Sequence, residues 1–192
     1  MEFKVEDFHC QELKEGKYVK PCFASYRLNN EERNWEIVKA SDSVAILIFN
    51  EESNAFVCVR QFRPAVYMQD RATNGVTVEL CAGILDKDLS IEETASEEIL
   101  EECGFRVEPS KLEKITSFYT SVGFAGSKQY LYFAKVDESM RVSSGGGVVG
   151  EEMIEVIEIP LSRAKEFIFD ESIPKTPGLL FAFSWFLAKE QT

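Results

Sequence analysis

Residues 83–105 read GILDKDLSIEETASEEILEECGF, a stretch that predicts a loop followed by a helix. Ser90 and Glu93 have the spacing of a capping box, in which each side chain hydrogen-bonds a backbone amide of the other residue. Apolar residues then recur every four positions, at Ile91, Ala95 and Ile99. Gly104 is the residue type that most often ends a helix in the left-handed conformation. We therefore expect a helix over residues 91–103.

This helix concentrates negative charge. Between Asp88 and Phe105 there is no Lys or Arg, and there are six glutamates: Glu92, Glu93, Glu97, Glu98, Glu101 and Glu102. The helix dipole stabilises carboxylates in the first turn only, so it does not explain those that follow. Like charges three or four residues apart cost about 0.2–0.5 kcal/mol per pair. Spacing alone leaves two interpretations open, a solvated acidic face or a site for a hard divalent cation such as Mg2+.

The composition narrows the class of protein. The 192 residues include 21 Lys or Arg and 33 Asp or Glu, which gives a net charge of -12, and 45% are hydrophobic. This length and hydrophobic content suffice for one domain with a real core plus a modest extension. A surface this acidic repels a phosphate backbone, so we expect no nucleic-acid partner. An anionic substrate would need divalent cations between it and the acidic site.

Other patterns bear on location and chemistry. The longest nearly apolar stretch, Gly178 to Ala188, is about half the length of a membrane span, and the start of the chain lacks the pattern of a signal peptide. The five cysteines show no CxxC spacing, which favours reduced thiols. A single histidine, His9, argues against a histidine triad or a histidine-rich zinc site. We expect a cytoplasmic protein without membrane contact or disulfides.

The rest of the chain alternates short β-prone runs with turn residues and helical patterns. The runs that predict strands are Tyr18–Leu28, Trp35–Lys39, Ser43–Phe49, Ala55–Phe62, Val76–Cys81, Ile115–Thr120, Gln129–Val136 and Met153–Ile159. Asn29-Asn30 predicts a turn between the first two runs. Leu161–Phe169 and Thr176–Lys189 predict helices. The second is apolar nearly all round, so it is either buried in the core or part of a subunit interface.

The acidic stretch resembles the Nudix box, G-x5-E-x7-R-E-U-x-E-E-x-G-U, where U is a bulky apolar residue. The spacing from Gly83 to Phe105 agrees throughout. Two positions depart from the pattern: Leu89 stands where the first Glu is expected, and Glu97 stands where the Arg is expected. In the family that Arg helps to hold the glutamates of the site. The departures therefore bear on activity, while the positions of the metal ligands are kept.

The resemblance extends over nearly the whole chain, to the UDP-glucose pyrophosphatase branch of the ADP-ribose pyrophosphatase-like Nudix enzymes. The segments that carry it are Arg60–Tyr67, Val78–Gly83, the Gly-rich loop at 145–147, Glu151–Val156, Ile173–Thr176 and Ser184–Leu187. It implies an α/β fold, the Nudix α/β/α sandwich with a mixed sheet, over residues 41–192. It also implies a small N-terminal antiparallel β unit, residues 1–40, that commonly takes part in a homodimer.

The resemblance implies a metal site and a hydrolytic role for the glutamates. Glu98, Glu101 and Glu102, with the backbone carbonyl of Ala82, would bind Mg2+, or Mn2+ as the alternative, and Glu98 and Glu101 would take part in catalysis. In relatives a glutamate before the last core strand activates or orients the attacking water. Glu151 and Glu152 occupy that region here, and we favour Glu152.

Basic residues ahead of the box resemble those that hold substrate phosphate. Arg63 would bind the diphosphate, since a guanidinium can engage two oxygens at once, with a surface salt bridge as the alternative. For Arg60 the salt bridge is the favoured interpretation. Glu79 would lie at the edge of the site, or would only pair with an arginine. The Gly-rich stretch at 145–147 is not a P-loop, because no GK[ST] ending follows it.

The segment after the box bears on substrate. Strict ADP-ribose enzymes usually carry Ser-Pro-Gly followed by acidic residues there, whereas residues 121–128 read SVGFAGSK. We therefore expect a nucleoside diphosphate sugar, with UDP-glucose first and ADP-ribose second. The predicted reaction is Mg2+-dependent hydrolysis of UDP-glucose to UMP and glucose 1-phosphate. The alternative, motivated by Glu97 and Leu89, is a degenerate Nudix domain that binds nucleotide sugars without efficient hydrolysis.

Overall fold

The computed structural model describes residues 3–14, 16–148 and 153–189 and begins its regular structure with a separate hairpin. Strands β1 (Lys20–Leu28) and β2 (Glu31–Lys39) pair in antiparallel fashion. The turn between them is Asn29-Asn30, as predicted, with φ angles of 52° and 65°. Asparagine tolerates this left-handed conformation, which a tight hairpin turn requires. The second strand begins four residues before the predicted Trp35, so the small N-terminal antiparallel unit is confirmed with a longer β2.

The described residues that follow contain one mixed sheet. Its strands are β3 (Ser43–Asn50), β4 (Ala55–Phe62), β5 (Val76–Glu79), β6 (Cys81–Ile84), β7 (Glu113–Thr120), β8 (Ser127–Val136) and β9 (Ile154–Pro160). The order is β5-β4-β3-β8-β7, with β6 also paired to β3 and β9 to β4. β3 and β8 are parallel, and the other pairs are antiparallel.

One predicted strand is wrong in a way that matters for the site. Val76–Cys81 was expected as a single strand, but the chain changes partner at Leu80. β5 pairs with β4, whereas β6 pairs with β3. A single strand that paired with β4 along its whole length could not also pair with β3. Glu79 therefore closes one strand, and Ala82 lies in the next.

Helices cover both faces of the sheet, which confirms the α/β/α sandwich. The α-helices in the described part of the chain are α1 (Pro64–Gln69), α2 (Ile91–Glu98), α3 (Ala164–Phe169) and α4 (Pro177–Lys189), and α2 and α4 pack on opposite faces. Side chains of β3 alternate between two core clusters: Val44, Ile46 and Ile48 pack with Ala95 and Ile99 on the side of α2, and Ala45, Leu47 and Phe49 pack with Leu179 and Phe183 of α4. This two-sided burial explains why β3 is a continuous apolar run.

Helix α4 belongs to the core. Its buried residues include Leu179, Ala182, Phe183 and Phe186, and the ring of Phe183 lies 4.1 Å from that of Phe56. Core packing therefore accounts for most of its apolar surface, although Phe181 is 47% exposed.

Three of the thiols lie in the core. All five cysteines are free, and Cys58, Cys81 and Cys103 are buried. Across residues 3–14, 16–148 and 153–189, no helix is long and apolar enough to cross a bilayer.

Candidate active site

The site is built on the helix that the sequence predicted. The Ser90 hydroxyl accepts from the Glu93 amide at 3.2 Å, and the Glu93 carboxylate accepts from the Ser90 amide at 2.8 Å, which completes the capping box. The hydroxyl of Ser90 and its amide both lower the pKa of Glu93. The start of α2 is therefore fixed locally, which positions the glutamates further along.

The end of the helix differs from a regular α-helix. Residues Ile99–Cys103 form a π turn, and Gly104 then ends the helix with a φ of 78°. A π turn holds one more residue than an α turn and is frequent at functional sites. The sequence pattern placed Glu98, Glu101 and Glu102 on neighbouring positions of one surface. In the structure Glu102 is 3% exposed, whereas Glu101 points to solvent.

Glu98 packs directly on the backbone of Gly83. A Cβ atom built on Gly83 would lie 2.0 Å from Glu98 Oε1 and 2.2 Å from its Cδ. A side chain at position 83 would therefore displace the Glu98 carboxylate from this position. The Glu98 carboxylate thus brings the last third of the Nudix-box stretch into contact with Gly83, its first residue.

Glu102 is hydrogen-bonded to Ala82, the residue before Gly83 in β6. The Ala82 amide donates to Glu102 Oε2 at 3.0 Å. Burial, the Cys103 thiol and then Glu102 raise the pKa of the adjacent Cys81 thiol, which keeps that thiol neutral. The carboxylates of Glu98 and Glu102 therefore converge on the Ala82-Gly83 backbone.

This donor set suits a hard divalent cation in part. Two carboxylates beside a strand backbone offer the oxygen ligands that Mg2+ binds while it retains waters. However, within the described ranges no three His, Cys, Asp or Glu side chains are arranged to hold a metal ion. Glu101, the third predicted ligand, is exposed. The residues fit a cation held by Glu98, Glu102 and backbone oxygen, with water completing the shell.

The Gly-rich loop docks on the π turn. Gly146 donates its amide to the Glu102 carbonyl at 2.8 Å, and Gly147 donates to the Glu101 carbonyl at 3.1 Å. A Cβ on Gly145 would lie 2.2 Å from that same Glu102 carbonyl, so the approach needs glycine. The loop satisfies backbone carbonyls that a helix end leaves without intrahelical partners.

Glu97, which replaces the expected arginine, has a basic partner. Lys87 Nζ lies 2.7 Å from Glu97 Oε2. The hydrogen bond to Glu97 raises the pKa of Lys87. Both side chains are about half exposed, 48% and 44%, so the pair contributes little to stability. Its effect is to tie the loop before α2 to the helix.

Arg63 and Glu79 form a bidentate ion pair. Arg63 Nε donates to Glu79 Oε1 and its terminal nitrogen donates to Oε2, both at 2.7 Å. Thr77 donates its hydroxyl to Glu79 Oε1 at 2.5 Å. Glu79 is only 7% exposed, whereas the side chain of Arg63 is 45% exposed. The buried carboxylate therefore orients a guanidinium that still faces solvent.

Arg60 lies apart from this pair. It makes an ion pair with Glu155 of β9 at 2.8 Å, and the two residues are directly opposite each other in the sheet. The favoured interpretation of Arg60 as a salt-bridge residue agrees with this contact. Glu151 and Glu152, the predicted water-orienting residues, lie outside the described residues.

Arg63 and Glu79 line two different cavities. Arg63 lines one of about 510 Å3 together with residues 3–6. Glu79 lines another of about 380 Å3 together with Ala82, and further lining residues come from β3, β7, β8 and the start of α4. Both volumes fall in the range of small-molecule sites. The ion pair therefore contributes one residue to each cavity.

Several contributors to the site escaped sequence reasoning. Thr77 supports Glu79, Lys87 pairs with Glu97, and Gln129 lines the smaller cavity. Lys87 lies ten positions from Glu97, and Gln129 is far along the chain from Glu79, so no local spacing marked either residue. Thr77 is two residues from Glu79 on the same strand, a spacing that places both side chains on one face. Gly178 is different, because a glycine inside an apolar helix is itself a signal of close approach.

Comparisons with known proteins show the family of this chain. The model of the NUDIX domain matches residues 39–174. The uridine diphosphate glucose pyrophosphatase NUDT14 of Bos taurus is 42% identical, with 89% of each chain covered. Its counterpart from Mus musculus is 38% identical over 90% of this chain and 89% of its own. A GDP-mannose pyrophosphatase of Cronobacter sakazakii is 38% identical over 68% of this chain and 66% of its own.

Proposed function

This chain belongs to the NUDIX family and is a pyrophosphatase of nucleoside diphosphate sugars, and we propose that it hydrolyses UDP-glucose to UMP and glucose 1-phosphate with Mg2+. The observation that carries the proposal is the convergence of Glu98 and Glu102 on the Ala82-Gly83 backbone. It brings together the residues that the family resemblance assigns to the metal.

The glutamates would hold the cation. Glu98 and Glu102, with the Ala82 carbonyl, would supply hard oxygen ligands, and Glu101, whose side chain is exposed, would be the third carboxylate ligand. Mn2+, which also takes oxygen ligands, is the alternative metal. When bound, a divalent cation polarises the diphosphate oxygens and offsets the charge that develops on them.

Arg63 would hold the diphosphate. Its fork of donors matches phosphate oxygens, and its pairing with Glu79 fixes the side chain before substrate arrives. Less side-chain entropy is then lost on binding. Glu152, or Glu151 as second choice, would orient the attacking water, an assignment that rests on the resemblance alone.

The preference for UDP-glucose is supported by two features. The bovine and murine relatives that are similar over about nine tenths of this chain are uridine diphosphate glucose pyrophosphatases by name. Residues 121–128 lack the proline and acids typical of strict ADP-ribose enzymes. ADP-ribose is therefore the second substrate to test.

The direct test is a panel of nucleotide sugars with product identification. Purified protein should release UMP and glucose 1-phosphate from UDP-glucose in Mg2+, and EDTA should abolish this. GDP-mannose and ADP-ribose should be hydrolysed more slowly. Turnover that EDTA leaves intact, or no turnover of any nucleotide sugar, would overturn the proposal.

The alternative function is binding without efficient hydrolysis. It is favoured by one observation, that Glu97 pairs with Lys87, whereas the family's arginine would help to hold the glutamates. Calorimetric titration with UDP-glucose in Mg2+, run beside the hydrolysis assay, separates the two functions. Saturable binding with no UMP formed would establish the alternative.

We also propose that residues 1–40 mediate a homodimer. The β1–β2 hairpin exposes large apolar side chains, among them Phe23 at 68% and Trp35 at 55%. A two-stranded hairpin is marginally stable by itself. Trp35 donates to the Gly123 carbonyl at 2.7 Å, yet its ring remains largely exposed. Analytical ultracentrifugation should give twice the 21.8 kDa chain mass, and Phe23→Ser should shift it toward the monomer.

A further inference from the structure

The smaller cavity, of about 380 Å3, is built from parts of the chain that are far apart in sequence. Glu79 and Ala82 form one wall, and Phe118 of β7, Gln129 of β8 and Gly178 of α4 form the others. Ala82 also belongs to the backbone on which Glu98 and Glu102 converge. The cavity therefore shares Ala82 with the predicted metal site.

We propose that this cavity receives the hexosyl group of the nucleotide sugar, with Gln129 as the residue that binds a sugar hydroxyl and Gly178 as the residue that sets the size of the sugar. The proposal rests on the proposed function, because it assigns part of the same substrate. It names specificity-determining residues that lie outside the Nudix box.

The chemistry of the walls fits a sugar. A hydroxyl group both donates and accepts hydrogen bonds, so a hexose needs mixed partners around it. The residues that line the cavity include the polar Gln129, Thr120 and Thr176, the aromatic Phe118, and Glu79, whose carboxylate is also paired with Arg63. Such combinations of apolar surface with a few placed polar groups are typical of small-molecule sites.

Because Arg63 and Glu79 line different cavities, each half of the substrate can be assigned to one cavity. With the diphosphate at Arg63, the groups on its two sides extend toward the two cavities. The nucleoside, which carries both a ribose and a base, is the larger group and matches the cavity of about 510 Å3 on the Arg63 side. The single sugar ring matches the smaller cavity next to Glu79.

Gln129 is held in one orientation. Its Nε2 donates to the Ser43 hydroxyl at 3.2 Å, which directs the amide oxygen toward α4. That oxygen lies 3.0 Å from the position that a Cβ on Gly178 would occupy. An oriented amide oxygen at the wall of a cavity is an acceptor suited to a hydroxyl group.

Gly178 has no conformational reason to be glycine. Its φ lies outside the left-handed region, and glycine inside a helix costs about 1 kcal/mol relative to alanine. A Cβ there would meet Gln129 Oε1 at 3.0 Å and Phe118 Cζ at 3.4 Å. The absent side chain therefore lets Gln129 and Phe118 pack close to α4, and an alanine would push on both of these cavity-lining residues.

Two substitutions test the proposal through ratios of substrates. Gln129→Leu removes the amide at similar size, and kcat/KM for UDP-glucose should fall about five- to tenfold, the effect of one hydrogen bond. Gly178→Ala should raise the preference for UDP-xylose over UDP-glucose by about tenfold, because xylose lacks the hydroxymethyl group. The ratio of UDP-glucose to ADP-glucose should stay the same in both variants.

Control variants distinguish an effect on sugar binding from an effect on folding. Gln69→Leu makes the same change at an exposed position and should alter no ratio. If Gly178→Ala does not fold by thermal melting, Gln129→Asn replaces it, since the shortened amide should widen the sugar range. Unchanged sugar ratios, or a shift in the base ratio instead, would overturn the proposal. Absence of nucleotide-sugar hydrolysis in the unmodified protein would instead overturn the proposed function.

Discussion

The carboxylate of Glu98 occupies the space in which a side chain on Gly83 would lie, with Oε1 2.0 Å from the Cβ position. Two residues fifteen positions apart thereby depend on each other. The glycine brings the strand backbone close to the helix, and the glutamate fills the gap with a charged group. This contact defines the place where we expect the metal.

Gly83→Ala should impair catalysis while it leaves the fold intact. The new methyl group forces the flexible Glu98 carboxylate away from Ala82-Gly83, and a misplacement of about 1 Å can cost about 100-fold in rate. Gly123→Ala is the matched control, because nothing lies within 4 Å of a Cβ there. Steady-state kinetics and thermal melting check it. A Gly83→Ala protein with normal rate would show that the contact has no catalytic role.

Glu98→Gln and Glu102→Gln should each lower the rate by about 100-fold or more, since each removes a charged oxygen ligand while keeping the shape. The affinity for Mg2+, measured by titration calorimetry, should fall as well. Glu108→Gln, at an exposed position outside the site, serves as the control. If both variants keep normal turnover at low Mg2+, the two glutamates are not metal ligands.

Glu97→Arg should not raise activity. The structure gives Glu97 a partner in Lys87, so arginine would place two cations side by side and release the loop from the helix. The double variant Lys87→Glu/Glu97→Arg reverses the charges of the pair and should restore the contact between the loop and the helix. A double-mutant cycle on the free energy of unfolding should give a coupling of about 0.2–1 kcal/mol, as expected for an exposed pair. A clear gain in rate for Glu97→Arg alone would contradict this assignment.

Arg63→Lys should raise KM for UDP-glucose more than it lowers kcat. Lysine keeps the charge but cannot make the bidentate contacts of a guanidinium. Arg60→Lys is the comparison, since Arg60 pairs with Glu155 and should change KM little. Equal changes in KM for the two variants would show that Arg63 does not bind the substrate.

The contact between Tyr132 and Glu92 predicts a pH effect on stability. Tyr132 donates its hydroxyl to Glu92 Oε1 at 2.6 Å, and this hydrogen bond lowers the pKa of Glu92 in the folded protein. A lowered folded pKa stabilises the protein above the ordinary glutamate pKa, and the stabilisation is lost as pH falls through the folded value.

Tyr132→Phe should therefore destabilise the protein at neutral pH by about 1 kcal/mol and should raise the pKa of Glu92. The difference between the two proteins should shrink as the pH is lowered into the acid range. Urea unfolding at several pH values measures the difference. A constant difference across this range would show that the hydrogen bond does not depend on the charge of Glu92.

The local features of the site could be predicted from the sequence. The Ser90 capping box and the stop at Gly104 both appear where expected, because capping and helix periodicity depend on residues within a few positions. The hairpin at Asn29-Asn30 is predictable for the same reason. The resemblance to the Nudix box likewise rests on spacing within a single stretch.

Only the tertiary structure decided how these features meet. The change of partner at Leu80, the contact of Glu98 with Gly83 and the pairing of Glu97 with Lys87 depend on which strands are neighbours. The cavity shared by Glu79, Phe118, Gln129 and Gly178 joins residues up to a hundred positions apart. Periodicity describes which face of an element is apolar, but it carries no information about which other element covers that face. The sequence therefore determined the elements and the acidic motif, whereas packing of the sheet between its helices determined the site's partners and shape.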